Sequence, residues 1–302
     1  MDWIFFAFLA PLLWVVSNYI DKLMISKYFE NKLGALMVFS SVVALVIVPF
    51  VYFFQPHVLN IDLVTMVIVI LNSFLLLIYL FPYFWSLRDE DTSNVTPLFQ
   101  TIPFFVMVLS FVFLKETLSV FQVLAVFFVA MGAFLISLRT SGKKLLFKKR
   151  VLVLMLCASF LVALNSVIFK FFALELDFWT VIFWQYIGAV IFGLILLVFV
   201  KDYRKQFFSV FRKQQGYLIG VNLVNELLNF GAWMAFSFAT LLAPVAIIWM
   251  VNGIQPFLVI LFGFFLTKFF PKIQKEDIGG KSIVRKVIAV LMMLIGLAML
   301  QL

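Results

Sequence analysis

Long apolar runs dominate this chain and are separated by short segments that carry its charges. Leu33 to Ile61 contains no lysine, arginine, aspartate or glutamate, and neither does Leu227 to Thr267. Because a bilayer-spanning helix needs about 20 apolar residues, the second run is long enough for two helices joined by a tight turn at Leu241 to Pro244. The whole pattern predicts ten such helices, at residues 3–26, 33–54, 63–87, 95–114, 117–138, 151–173, 178–200, 217–240, 244–267 and 285–301.

Composition supports the same architecture. Of 302 residues, 65% are hydrophobic and 12% are charged, whereas ordinary soluble domains have about 25% charged residues. We therefore predict an all-α integral membrane protein whose surroundings are the lipid bilayer. A net charge of +9 would suggest a nucleic-acid partner in a soluble chain, but here the basic residues occupy short loops and set membrane orientation. No nucleic-acid partner is predicted.

The two halves of the chain resemble each other. Sliding the sequence by 148 positions lays Ser17–Lys22 on Asn165–Lys170, and sliding it by 153 lays Pro103 on Pro256. Five helices in each half is an odd number, so the second half enters the membrane from the opposite side. The sequence therefore predicts two inverted five-helix repeats, at residues 1–140 and 151–302, joined by a basic linker at residues 141–150.

The loops on alternate sides of the predicted bundle differ sharply in charge. One side carries 21 of the 23 lysines and arginines, and the other has only Lys115 and Lys170. Basic loops favour the cytoplasmic face. We therefore expect a multi-pass protein of the cell membrane with both termini outside.

Four polar residues and a tryptophan share one face of the predicted eighth helix. Asn222, Asn225, Glu226, Asn229 and Trp233 follow the i, i+3, i+4, i+7 spacing. A charged side chain at the bilayer centre costs about 2.5–3.5 kcal/mol on insertion scales. One explanation is interhelical hydrogen bonding, and the other, which we favour for a whole polar face, is the lining of a substrate cavity.

The predicted first helix repeats this arrangement. Ser17, Asn18 and Lys22 lie on one face together with Trp14 and Asp21. We expect Lys22 and Lys170 at opposite mouths of the cavity, although snorkelling of lysines at helix ends is the alternative. The remaining candidates for substrate binding are Asn72, Tyr83, Gln100, Asn165 and Asn252.

No phosphate loop, metal-ligand cluster or nucleophile beside a base is visible in the sequence. The sequence therefore predicts no cofactor, no metal site and no enzymatic activity. An intramembrane enzyme would need acidic residues at helical spacing or an activated nucleophile.

One segment carries a family resemblance. The stretch NVTPLFQTIPFFVMVLSFVFLKETLSVFQVLAVFFVAMGAFLI contains Pro97, Pro103, the Lys115–Glu116 pair, Gln122 and Gly132. With a lysine near the end of the first helix of each half, it resembles the EamA-type transporters of the drug/metabolite transporter superfamily. This resemblance implies export or exchange of small metabolites. It also implies termini in the cytoplasm, and on this point we follow the charge count instead.

Together these features predict a secondary transporter that works by alternating access, as a monomer or homodimer. Its expected substrate is a small polar or zwitterionic metabolite, amino-acid-like, moved by an exporter or exchanger, with protons as a candidate coupling ion. Two alternatives remain open: a flippase of a lipid-linked head group, and a helper subunit that transports nothing itself.

Overall fold

The computed structural model describes residues 2–25, 33–42, 44–137, 139–141, 144–146, 149–213, 217–269 and 280–299. The predicted ends of the first and tenth helices, at residues 26 and 300–301, lie outside the described residues, as do Lys27, Lys32, residues 270–279 and part of the basic linker.

Helices form nearly all of the described chain. They are α1 (Asp2–Leu23), α2 (Leu33–Val42), α3 (Ala44–Phe54), α4 (Leu63–Ile78), α5 (Leu80–Asp89), α6 (Thr92–Val95), α7 (Ile102–Leu114), α8 (Val120–Ser137), α9 (Lys149–Glu175), α10 (Phe178–Phe199), α11 (Lys201–Lys213), α12 (Tyr217–Leu242), α13 (Val245–Val251), α14 (Gln255–Phe269) and α15 (Gly280–Ala298). Short 3-10 turns occupy Pro56–Leu59, Thr96–Thr101 and Asn252–Ile254.

Within the described ranges, seven segments are long and apolar enough to cross a membrane by length and composition. They are Trp3–Leu23, Leu33–Phe54, Leu63–Asp89, Thr96–Leu114, Lys149–Glu175, Phe178–Phe199 and Val245–Phe269. Helix α12 has 26 residues, which corresponds to about 39 Å, but its asparagines and glutamate lower its mean hydropathy. Helices α8 and α15 contain shorter apolar stretches. The chain is a multi-pass membrane protein.

Two basic segments differ from the sequence prediction. Residues 201–213, expected as a loop, form the helix α11. Its apolar side chains pack on α2, where the rings of Phe207 and Phe39 lie 4.7 Å apart and Gln206 Oε1 accepts from the amide of Gly34 at 3.1 Å. In the linker, Arg139–Ser141 pairs antiparallel with Lys144–Leu146 in a short hairpin, and the fold class remains all-helical as predicted.

Prolines interrupt the helices at the same point in both halves. The 3-10 turn Thr96–Thr101 precedes Pro103, and the 3-10 turn Asn252–Ile254 precedes Pro256. Proline has no N–H, so Pro256 cannot give the carbonyl of Asn252 its usual helical hydrogen bond. That carbonyl accepts instead from the amide of Gln255 in the 3-10 turn, and Gln100 Nε2 donates to it as well at 2.9 Å.

Aspartate caps fix the start of two helices on one side of the bundle, Asp62 at α4 and Asp177 at α10. The Asp177 carboxylate accepts from the amides of Trp179 and Thr180 at 2.8 and 3.0 Å. Desolvation raises the pKa of Asp177, but the hydrogen bonds from Thr180, Trp179 and His57 outweigh it and lower the pKa below the ordinary 3.8. The cap is therefore an ionised carboxylate at neutral pH.

Helices α8 and α15 touch through a reciprocal pair of small residues. A methyl group at Gly132 would lie 2.7 Å from the carbonyl oxygen of Ala289, and one at Gly296 would lie 2.9 Å from that of Ala125. Only glycine allows so close an approach of the two backbones. The spacing between alanine and glycine is seven residues in both helices, so the contact is the same viewed from either helix.

Candidate functional site

A cavity of about 560 Å³ lies between α1, α2, α5, α12, α13 and their neighbours. Its lining combines carboxylates, amides and many aromatic rings. The lining residues are Trp14, Ser17, Asn18, Asp21, Ser40, Tyr79, Leu80, Tyr83, Phe84, Phe99, Ile102, Val162, Glu226, Asn229, Trp233, Trp249 and Gln255.

Two carboxylates line this cavity from two helices that pack directly against each other. Asp21 on α1 and Glu226 on α12 are each only 8% exposed. Asn225 Nδ2 donates to Asp21 Oδ1 at 2.8 Å, and Ser40 Oγ donates to Glu226 Oε1 at 2.5 Å. Each carboxylate is therefore held in place by a neutral donor, with no lysine or arginine among the described lining residues.

Asn18 and Tyr83 form a polar cluster with Asp21. The Tyr83 hydroxyl lies 3.0 Å from Asn18 Oδ1 and 3.3 Å from Asp21 Oδ2. Because it has one proton, it can donate to only one of them at a time. Asn18 Nδ2 is buried and has no hydrogen-bond partner among the described residues.

Three tryptophans form the aromatic wall. The rings of Trp14 and Trp249 are parallel within 4°, with centroids 5.9 Å apart. Trp233 stands at 75° to both, at 5.1 and 6.2 Å. Two of the indole donors are engaged, since Trp14 Nε1 donates to Asn229 Oδ1 at 3.0 Å and Trp249 Nε1 donates to Ser166 Oγ at 3.2 Å.

Two further cavities adjoin the first. One of about 570 Å³ also borders Glu226 and Trp233 and adds Gln185 and Tyr186. Another of about 350 Å³ borders Gln185, Tyr186 and Trp233 and reaches Asn165. Trp233 lines all three cavities.

The structure brings only part of the predicted site together. The predicted residues that line the first cavity are Ser17, Asn18, Tyr83, Glu226, Asn229 and Trp233. Asn225 stands behind the wall and supports Asp21, while Asn222 is buried without lining any of the three cavities described above.

The other predicted amides join helices to one another. Asn72 Nδ2 donates to the carbonyl of Asn165 at 3.3 Å, and Asn165 Nδ2 donates to the carbonyl of Asn72 at 3.1 Å. Gln100 donates to the carbonyl of Asn252. These contacts match the alternative of interhelical hydrogen bonding, and Asn165 alone among the four also borders a cavity.

The two predicted lysines cap helix ends and do not line the cavities described above. Lys22 Nζ donates to the carbonyls of Leu87 and Glu90 at 2.5 and 2.7 Å, at the end of α5. Lys170 Nζ donates to the carbonyl of Ala243 at 2.8 Å, just after α12. Helix C-termini attract cations because their last carbonyls lack partners.

Lys170 is also part of a buried ion pair. Its Nζ lies 2.6 Å from Glu116 Oε1, and the two side chains are 8% and 13% exposed. Glu116 Oε2 accepts from the amide of Val245, the first residue of α13. The pair thus holds the turn between α12 and α13 against the end of α7.

Several lining residues were missing from the predicted site. Trp14 and Asp21 were placed on the same helical face as Ser17 and Asn18 but were not counted among the candidates for substrate binding. Ser40 and Tyr79 were not named: Ser40 stands beside Ser41 in an otherwise apolar segment, and Tyr79 belongs to an apolar run rich in aromatic residues. Among the described residues, no group of three or more His, Cys, Asp or Glu is placed to hold a metal ion.

The fold has a solved counterpart. A crystal structure whose title gives no function matches with a TM-score of 0.62 and 15% sequence identity, covering 99% of this chain and 96% of the other. At this identity the likeness concerns the fold alone. Comparison with curated proteins gives no match.

The family comparison identifies the first half. The family model described as the EamA-like transporter family matches residues 1–138. Members of this family are transporters rather than enzymes. The predicted resemblance is therefore confirmed: residues 1–138 match the EamA-like transporter family, consistent with the drug/metabolite transporter superfamily.

Proposed function

We propose that the chain is a secondary transporter that moves a small polar or zwitterionic metabolite by alternating access. The observation that carries this proposal is the cavity lined by α1 and α12, with two buried carboxylates. Buried ionisable groups inside a membrane bundle are costly and usually mark a substrate or ion pathway.

Three observations support the proposed two inverted five-helix repeats, at residues 1–140 and 151–302. Ala125 and Gly132 meet Ala289 and Gly296 reciprocally, as a two-fold axis would require. The 3-10 turns before Pro103 and Pro256 stand at equivalent positions.

The third contact involves the lysines. Lys22 donates to the carbonyl of Glu90, and Lys170 donates to the carbonyl of Ala243. A shift of 148 positions relates the two lysines, and a shift of 153 positions relates Glu90 to Ala243. The same helix-capping contact therefore recurs in both halves.

Interrupted helices in corresponding positions of two inverted halves are typical of alternating-access transporters, in which they flank the substrate site. Phe99 in the first interrupted segment and Trp249 in the second both line the cavity. A helix that is already broken at a proline can bend without losing further backbone hydrogen bonds. Movement at these two points would open the cavity to one side or the other.

Glu226 is the central ionisable group in this proposal. A carboxylate can hold either a proton or a substrate ammonium, so protons are the proposed coupling ion. Both termini lie outside the cytoplasm, because 21 of the 23 basic residues belong to the opposite face.

Counterflow in proteoliposomes tests the proposal. Vesicles preloaded with a mixture of amino acids should accumulate a labelled trace of the substrate, and Glu226→Gln should lose this accumulation while it inserts normally. Glu175→Gln is the matched control, because Glu175 is exposed at the end of α9. Parental counterflow and unchanged pH dependence in Glu226→Gln would exclude Glu226 as the coupling centre. Absence of counterflow by the parent with any amino acid or amine would refute the proposed function.

A further inference from the structure

We infer that the outer face of helix α11 binds the head group of an anionic phospholipid. This site is separate from the cavity between α1 and α12 and does not depend on the proposed transport activity. One face of α11 carries Lys201, Arg204, Lys205, Phe208 and Arg212, which follow the i, i+3, i+4, i+7, i+11 spacing. All five side chains are exposed, and together they form the basic face of α11.

The opposite face of α11 attaches the helix to the bundle. Tyr203 lies against the start of α2, where a methyl group added at Gly34 would stand 2.2 Å from the tyrosine ring. The same ring stacks on Phe81 of α5, with centroids 6.2 Å apart, and Phe207 packs on Phe39 of α2. Because these contacts occupy one side of α11, the basic face points away from the other helices.

The positive charges of the basic face are not neutralised by the protein. Within the described residues, no carboxylate forms an ion pair with its lysines or arginines. Asp202, the acid of the same helix, is exposed and pairs with none of them. Arg204 Nη1 donates to the carbonyl of Val198 at 3.3 Å, and a guanidinium has further N–H groups for an outside acceptor. The face is therefore ready to bind an anion.

The location of the basic face favours a lipid as the source of that anion. Helix α10 ends immediately before α11, and its last residues, Val198 and Phe199, are 60% and 78% exposed. Exposed apolar side chains on a membrane-spanning helix contact lipid tails. The bond from Arg204 to Val198 therefore places the guanidinium where tails give way to head groups.

Phe208 supports the same choice of ligand. Its ring is 49% exposed and lies on the same face as the lysines and arginines. A dissolved phosphate compound would leave this ring in water, whereas a lipid also covers apolar surface, which is favourable. A phospholipid thus satisfies both the charge and the exposed ring.

The chemistry of the side chains selects an anionic head group over a zwitterionic one. A guanidinium can bind two phosphate oxygens at once, and an ammonium adds a point charge. One basic residue near an anionic membrane surface contributes about 1 kcal/mol, which corresponds to about fivefold in affinity. Phosphatidylcholine carries a compensating quaternary ammonium, so phosphatidylglycerol should bind more tightly.

Native mass spectrometry of the purified full chain tests the inference. Dioleoyl phosphatidylglycerol and dioleoyl phosphatidylcholine, which have identical acyl chains, are added at equal concentrations to protein in a neutral detergent. We expect the first bound lipid to be phosphatidylglycerol, by about fivefold or more, and the absence of a preference would overturn the inference. Glycerol 1-phosphate at the lipid concentration should not displace it, and displacement would assign the site to a soluble phosphate compound instead.

Variants of α11 test whether the basic face is the site. The triple change Lys201→Gln, Arg204→Gln and Lys205→Gln should abolish the preference for phosphatidylglycerol. The triple change Lys201→Arg, Arg204→Lys and Lys205→Arg keeps all the charges and should keep most of it. Loss of the preference in this second variant, in protein that elutes as the same monodisperse peak, would contradict selection by charge.

A matched control removes the same charge outside α11. Lys149→Gln, Arg150→Gln and Lys268→Gln together replace three exposed basic side chains and should leave the preference at the parental value. If this control and the first α11 variant show the same preference, the lipid is not selected by α11 and the inference is wrong. Counterflow activity has no part in these measurements, so the transport proposal is tested separately.

Discussion

The buried pair of Lys170 and Glu116 provides a quantitative test of what holds this bundle end together. The change is Lys170→Met, which keeps the apolar stem and removes the ammonium. It takes away the contact with Glu116 Oε1 at 2.6 Å and the hydrogen bond to the carbonyl of Ala243 at 2.8 Å. The Glu116 carboxylate then stays in place, because the amide of Val245 still donates to it.

The expected loss is large because the remaining carboxylate has little solvent. The side chain of Glu116 is 13% exposed, and removal of one partner of a buried pair costs about 3–5 kcal/mol. The double variant Lys170→Met with Glu116→Gln leaves no unpaired charge. We expect it to recover part of the loss, with a coupling energy between the two sites of about 0.5–3 kcal/mol.

The assay is equilibrium unfolding of the purified protein in mixed micelles, followed by far-UV circular dichroism. Lys115→Met is the control, since Lys115 is an exposed lysine that directly precedes Glu116 in the sequence. The reasoning is refuted if Lys170→Met stays within about 0.5 kcal/mol of this control and the double variant is the sum of the singles.

Three other expectations follow. Gly132→Ala should lower stability by about 1–3 kcal/mol, because its methyl group would meet the backbone of α15. Gly220→Ala should not lower stability, because nothing lies within 4 Å of the added methyl group. Thermal unfolding of the two variants in detergent tests this difference. Asp177→Ala should cost about 1 kcal/mol of stability at neutral pH. Because the pKa of Asp177 is lowered in the folded state, the cap stabilises the protein at pH values above the ordinary 3.8, and this stabilisation is lost as pH falls through the folded pKa. Unfolding measured at a series of pH values tests this trend. In a chain with Cys157 replaced by serine, a cysteine at Thr140 should resist an impermeant reagent on intact cells while one at the C-terminus reacts, and the reverse pattern would invert the topology.

The sequence predicted one wall of the cavity well and the opposite elements poorly. Asn18 and Glu226 were found because α1 and α12 are continuous helices, on which regular spacing translates directly into a common face. Ser40 and Tyr79 were missed because adjacent serines, Ser40 and Ser41, have no helical spacing, and because Tyr79 belongs to an apolar run rich in aromatic residues.

The predicted loop at residues 201–213 was wrong for a related reason. Its high charge was taken as a sign of a loop, although an amphipathic helix with one apolar face has the same overall charge. The chain also gives no local signal for tertiary partners. Gln100 looks like any buried amide in the sequence, and only the structure places it beside the carbonyl of Asn252.

The seam between α8 and α15 has a mechanical consequence. Its two close contacts stand seven residues apart, which is about 10 Å along each helix. Two contacts at this distance restrict the crossing angle of α8 and α15 more than a single contact would. Under the proposed alternating access, the two helices would therefore move as one rigid pair, and a disulfide between them should let substrate exchange continue at the parental rate.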